Sequence, residues 1–135
     1  MKKEKVVTCA AQMWPRSVFD FEGRHTVKEC LQKPGVYVLF RDDQPYYVGK
    51  TTKASLFKRI NNHATITKGR YHHFWNYFSA FVIPNRKHRD EIEGILIASM
   101  PIANGATPKI KRIPLPPDVT RMMKKIRMKS AAQDE

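Results

Sequence analysis

Residues 35–49 constrain the fold of this chain more than any other stretch. Val36-Tyr37-Val38-Leu39-Phe40 is a run of β-branched and aromatic residues that follows Pro34-Gly35. Tyr46-Tyr47-Val48 then returns after Arg41-Asp42-Asp43-Gln44-Pro45, and Gly49 closes it. Such side chains suit a pleated, half-buried surface, whereas Asp and Pro supply turn chemistry. The stretch predicts a β-hairpin with a loop of about five residues.

Other elements arrange themselves around that hairpin. Thr26-Val27-Lys28-Glu29 has the form of a capping box and predicts a short helix to about Gln32. Ser55 is the expected N-cap of a helix over Leu56–Thr65, with Leu56, Ile60 and Ala64 as its core stripe and Arg59 and His63 one turn apart beside it. Tyr77–Ile83 reads as a third strand, stopped by Pro84-Asn85. In the following helix, from Lys87 to Met100, the apolar residues Ile92, Ile95, Leu96, Ile97 and Met100 surround most of the circumference, which predicts a central, buried helix. Asp118 opens a last helix with Val119, Met122, Met123 and Ile126 on one face. Residues 1–25 show no regular pattern, and Trp14, Phe19 and Phe21 are expected to pack against the main domain. The expected architecture is α+β, a small three-stranded antiparallel sheet flanked by helices. It divides into an N-terminal extension with a short helix (1–32), a central domain (33–110) and a basic, partly helical tail (111–135).

Charge then narrows the partners. Lys and Arg number 25 against 12 Asp and Glu, a formal net charge of +13. Such a surplus favours polyanions, because each neutralised phosphate releases condensed counterions. Residues 109–129 hold eight of these cations (Lys109, Lys111, Arg112, Arg121, Lys124, Lys125, Arg127 and Lys129) against Asp118 alone. This tail is expected to add sequence-independent affinity for a phosphate backbone. The competing reading is a basic amphipathic helix that lies on an anionic membrane or docks on its own domain. Cys9 and Cys30 lack metal-ligand spacing and read as reduced thiols, with one disulfide left open. The apolar run Val6–Ala11 is too short for a signal peptide or a membrane span, so a cytoplasmic protein with no membrane partner is expected.

Gly35-Val36-Tyr37 and Tyr47-Val48-Gly49 stand on successive hairpin strands with nine residues between the tyrosines. Lys50 follows directly, then Leu56-x-x-Arg59-x-x-x-His63 on a helix. Glu93 precedes Leu96-Ile97 on the later helix, and Pro101 precedes Asn104. In this order and spacing the chain resembles the GIY-YIG nucleases over about residues 33–110. The resemblance implies an endonuclease that hydrolyses phosphodiester bonds in duplex or branched DNA. Tyr37 would activate the attacking water, directly or through a relay, and Tyr47 would position water or phosphate. Arg59 would clamp the scissile phosphate, for which its planar fork is suited. Glu93 would hold one Mg²⁺ or Mn²⁺ ion, and Asn104 would support the site by hydrogen bonds. Gly35 and Gly49 belong to the two motifs. A phenol is a poor base at neutral pH unless a neighbour lowers its pKa, and Lys50 and His63 are the candidates for that help. Glu91, two residues from Glu93, is the alternative metal ligand.

Outside the match, Arg70, Tyr71 and His72 are expected to touch nucleic acid, whereas Phe74, Trp75 and Phe78 read as core. Arg86, Lys87 and Arg89 form either a basic contact surface or a solvated helix start. No zinc-finger or helix-turn-helix pattern accompanies the motifs, so the chain would cut by DNA structure or loosely, form a homodimer for double-strand cleavage, or rely on a protein partner. Two other classes stay open: a catalytically silent nucleic-acid-binding module of the same fold, and a small basic RNA-binding protein.

Overall fold

The computed structural model describes residues 5–20, 24–65, 74–100, 102 and 113–133. The predicted hairpin is present as β2 (Gly35–Arg41) and β3 (Gln44–Lys50). Its loop is tighter than expected, because Arg41 already pairs with Gln44 and leaves Asp42-Asp43 as the turn. Asp42 takes φ 55°, a left-handed conformation that Asp tolerates because its short polar side chain can bond locally.

Four strands rather than three form the sheet among the described residues, in the order β1-β4-β2-β3 and antiparallel throughout. The additional strand is β1 (Cys9–Pro15), which pairs with β4 (Tyr77–Val82) and forms the edge opposite β3. The N-terminal segment is therefore part of the sheet and not an irregular extension. Its period-two pattern is hidden by a register break between Ala11 and Trp14, where Met13 takes φ 51° and its N–H turns to the Ser79 hydroxyl at 3.0 Å.

Two cores lie on the two sheet faces. On one face Tyr37, Leu39, Phe78, Ala80 and Val82 meet Phe19, α1 (Arg24–Cys30) and α2 (Leu56–Thr65), with Leu56, Phe57 and Ile60 buried. On the other, Val36, Val38, Val48 and Ile83 meet Ile92, Leu96 and Ile97 of α3 (Arg86–Ser99). Each fully buried large apolar side chain contributes about 1.5–3 kcal/mol, so both faces stabilise the sheet. The expectation of a central, buried helix fails for α3: Ile95 is 55% exposed, and the helix covers the sheet as an outer layer. Among the described residues no helix is long and apolar enough to cross a membrane. On α4 (Pro117–Gln133), Met122, Met123 and Ile126 remain exposed.

Arg89 was expected in the basic surface and lies inside instead, only 5% exposed. Its guanidinium donates to the carbonyls of Ile83 (2.9 Å), Pro84 (2.8 Å) and Thr52 (3.1 Å). It thereby ties the turn between β4 and α3 to the loop after β3. Arg89→Ala strands these buried acceptors and is expected to cost about 3 kcal/mol. Urea denaturation checks this, and unchanged stability would contradict it.

Candidate active site

The start of α2 is fixed by backbone bonds, which sets the positions of Arg59 and His63. Its first amides donate to carbonyls of the segment between α1 and β2, Leu56 N–H to Lys33 at 3.0 Å and Phe57 N–H to Leu31 at 2.8 Å. Ser55 Oγ caps Lys58 N–H at 3.1 Å, as its position in the sequence predicts. From this anchored start His63, half a helix later, reaches the hairpin.

There it meets both motif tyrosines. The ring centroids lie 6.2 Å apart for Tyr37–Tyr47, 5.6 Å for Tyr37–His63 and 5.5 Å for Tyr47–His63. The Tyr37 hydroxyl and His63 Nε2 are hydrogen-bonded at 2.9 Å. The phenol donates when the imidazole carries its proton on Nδ1 and accepts when it carries it on Nε2. Gly49, opposite Tyr37 on β3, makes room for this ring: a Cβ there would lie 2.3 Å from Tyr37 Cζ and Oη. Gly35 serves a different contact, since its Cβ would strike the Phe81 carbonyl oxygen at 1.9 Å. Its backbone is bracketed by Thr51, whose Oγ1 accepts from Gly35 N–H at 2.9 Å and whose N–H donates to Gly35 O at 2.9 Å.

Burial governs the protonation of the cluster. Tyr37 has no exposed surface, and desolvation raises its pKa, with the neighbouring Tyr47 adding to the rise. Hydrogen bonding and charge from Arg59 oppose the shift without overcoming it. Desolvation lowers His63 to about 4, helped by the Arg59 charge. At neutral pH the pair is therefore a neutral phenol and a neutral imidazole. This depression also makes stability depend on pH. The unfolded chain binds a proton at His63 below about 6.5, whereas the folded protein resists until about 4, so stability falls as pH drops through that window. Allowing for the partial exposure of His63, the loss is about 1–2 kcal/mol. His63→Gln is expected to flatten this part of the curve, measured by urea melts at several pH values. Parallel curves for variant and parent would contradict it.

Lys50 lies on the other side of the sheet. Tyr37 pairs with Gly49 and Val36 with Lys50, so alternation puts Lys50 beside Val36 and Val48 on the α3 face. Its ammonium lies 2.6 Å from Asp90 and 3.6 Å from Glu93, and its pKa is raised, chiefly by the Asp90 hydrogen bond. The expectation that Lys50 would lower the Tyr37 pKa is thus corrected: Arg59 is the cation that acts on the phenol. The two halves of the site, phenol–imidazole–guanidinium and ammonium–carboxylates, flank the open edge strand β3 from opposite faces.

Glu93 and Asp90 are three residues apart on α3 and meet the same ammonium. These oxygen donors fit a hard divalent cation such as Mg²⁺, which takes one or two carboxylates and completes its shell with water and phosphate. Among the described residues no group of three or more His, Cys, Asp or Glu could hold a metal unaided. Asp90 was not foreseen, although its spacing from Glu93 places it on the same helix face. Arg16 was also missed. It stacks 4.8 Å above the Trp75 ring and donates to the Ala64 carbonyl at 2.8 Å, holding the last turn of the helix that carries His63.

Of the expected contact residues, Arg86 and Lys87 are exposed in the first turn of α3, and Lys124 and Lys125 are exposed on α4. Asn104, Arg70, Tyr71, His72, Lys109, Lys111 and Arg112 lie outside the described residues. Comparisons with protein-family models, with curated proteins and with solved structures found no match to this chain.

Proposed function

We propose that this chain is a metal-dependent endonuclease resembling the GIY-YIG nucleases, acting on duplex or branched DNA. The observation that carries the proposal is the enclosed Tyr37 phenol, hydrogen-bonded to a neutral His63 and acted on by Arg59. The convergence of a buried hydroxyl, a histidine and an arginine beside a packed core supports proton transfer next to a phosphate.

In this reading Arg59, exposed on α2, takes the scissile phosphate with its guanidinium. Burial is the main cause of the low His63 pKa, and the bound phosphate offsets the lesser one, the Arg59 charge, which makes His63 a somewhat better base. Tyr37 has no exposed surface, so it acts through its neighbours: it passes its proton to His63 and accepts one by way of the half-buried Tyr47, which faces the attacking water. Glu93, with Asp90 before it, would hold one Mg²⁺ or Mn²⁺, which when bound neutralises charge on the phosphoryl and leaving 3′-oxygens. Exposed cations on α3 and α4 add affinity for the phosphate backbone.

One observation favours a second reading, a catalytically silent DNA-binding module. Lys50 stands against both carboxylates, where a cation would otherwise be needed. Cleavage by the parent separates the two, and Tyr37→Phe then tests the relay. It removes one oxygen from a ring that is otherwise packed, so folding and binding persist, and cleavage is expected to fall at least about a hundredfold. Cleavage by Tyr37→Phe at the parental rate would sink the proposed relay.

A further inference from the structure

We infer that Tyr46 and Phe74 form a stacking platform for an unpaired base, which makes branched or partly single-stranded nucleic acid the preferred substrate class; this rests on the nuclease reading above. Phe74 reads as core in the sequence, yet it is 54% exposed while the next residue, Trp75, is 1% exposed. A surface Phe alone says little. This one, however, lies nearly parallel to Tyr46, with ring centroids 5.5 Å apart and planes at 17°. The core pairs are less parallel, from Phe19–Phe78 at 32° to Trp14–Phe78 at 73° and Trp75–Phe78 at 83°. A parallel pair with one ring more than half exposed continues outward as a surface onto which a third flat ring can stack.

Its position ties it to the candidate active site. Along β3 the pairing steps from Tyr47 to Pro45 while β2 advances only from Leu39 to Phe40, so Tyr46 is the extra, bulged residue. Bulges beside functional sites re-aim a side chain, and here the residue before Tyr47 is directed onto Phe74. From Tyr46 to Gly49, under the Tyr37 ring, is about 10 Å of strand, within reach of nucleotides flanking a phosphate held at Arg59. Charge selects the ligand. The chain as a whole is +13 and attracts a polyanion, but the hairpin tip beside the stack carries Asp42 and Asp43 against Arg41, so it adds no net positive charge for a phosphate. A strand passing here presents a base rather than its backbone. Bases inside a duplex have no free face, so away from duplex ends the base must be unpaired.

Binding of fluorescent oligonucleotides in EDTA, where cleavage cannot intervene, tests this. Forked, single-stranded and blunt duplex DNA are compared for the parent protein, Phe74→Ala and Phe74→Trp, with thermal melts to verify folding. Phe74→Ala is expected to weaken forked and single-stranded binding at least about tenfold, to leave blunt duplex within twofold, and Phe74→Trp to restore the preference. Equal loss on all three substrates, no loss on any, or absence of nucleic-acid binding altogether would overturn it. Selective loss in EDTA together with no cleavage in Mg²⁺ would sink the nuclease reading while leaving the platform standing.

Discussion

Glu93→Ala is expected to reduce metal-dependent cleavage at least about a thousandfold while leaving DNA binding in EDTA unchanged or slightly tighter. The side chain is only 21% exposed, but its removal leaves no stranded charge, because Lys50 keeps its 2.6 Å partner Asp90. Folding should therefore survive, and the loss can be read as chemistry. Asp90→Asn is expected to cost far less, about tenfold, if its main part is to hold Lys50 and orient the carboxylate beside it. Measuring both variants over a Mg²⁺ titration separates the roles. A Glu93→Ala enzyme as active as its parent would remove Glu93 from the site, and a larger loss in Asp90→Asn than in Glu93→Ala would exchange the two assignments.

Gly49→Ala should drive a methyl group straight into the ring at the centre of the candidate site. The added carbon would lie 2.3 Å from Tyr37 Cζ and Oη and 2.8 Å from Cε1. The φ of Gly49 is not positive, so the requirement is for space and not for backbone freedom. Tyr37 is enclosed on every side and cannot swing away cheaply, so either the hairpin opens or the ring leaves His63. Overpacking of this kind costs about 1–3 kcal/mol. The broken hydroxyl–imidazole contact should in addition lower cleavage about a hundredfold. Thermal melts and cleavage rates check the two effects separately. A Gly49→Ala protein with parental stability and rate would show that the ring packing is dispensable.

What was legible in the sequence follows from how local each signal is. The hairpin could be read because Val36, Val38 and Val48 alternate with Tyr37, Leu39 and Tyr47, and both sheet faces turn out to be covered. The helix over 56–65 could be read because Ser55 and its apolar spacing are local facts. β1 could not: Cys9-Ala10-Ala11-Gln12 has weak strand propensity, and the bulge at Met13 breaks its period, so only pairing with β4 reveals it. For α3, apolar residues around the circumference suggested burial, but the sheet covers one side only and leaves Ile95 outside. Arg89 looked like one cation among several, because the carbonyls that claim it belong to two other segments. The placement of Lys50, by contrast, was available. Strand alternation sets it on the opposite face from Tyr37 as soon as Gly49 is placed opposite that tyrosine. Asp90 was available too, from its three-residue spacing to Glu93.

The most direct test is incubation of the purified chain with supercoiled plasmid and with forked DNA, in Mg²⁺, in Mn²⁺ and in EDTA. Nicking or cutting in either metal and none in EDTA is the expected result. Tight, salt-sensitive binding with no cutting of either substrate in either metal would contradict a hydrolytic site at Tyr37, Arg59 and Glu93, and would leave the chain a DNA-binding module.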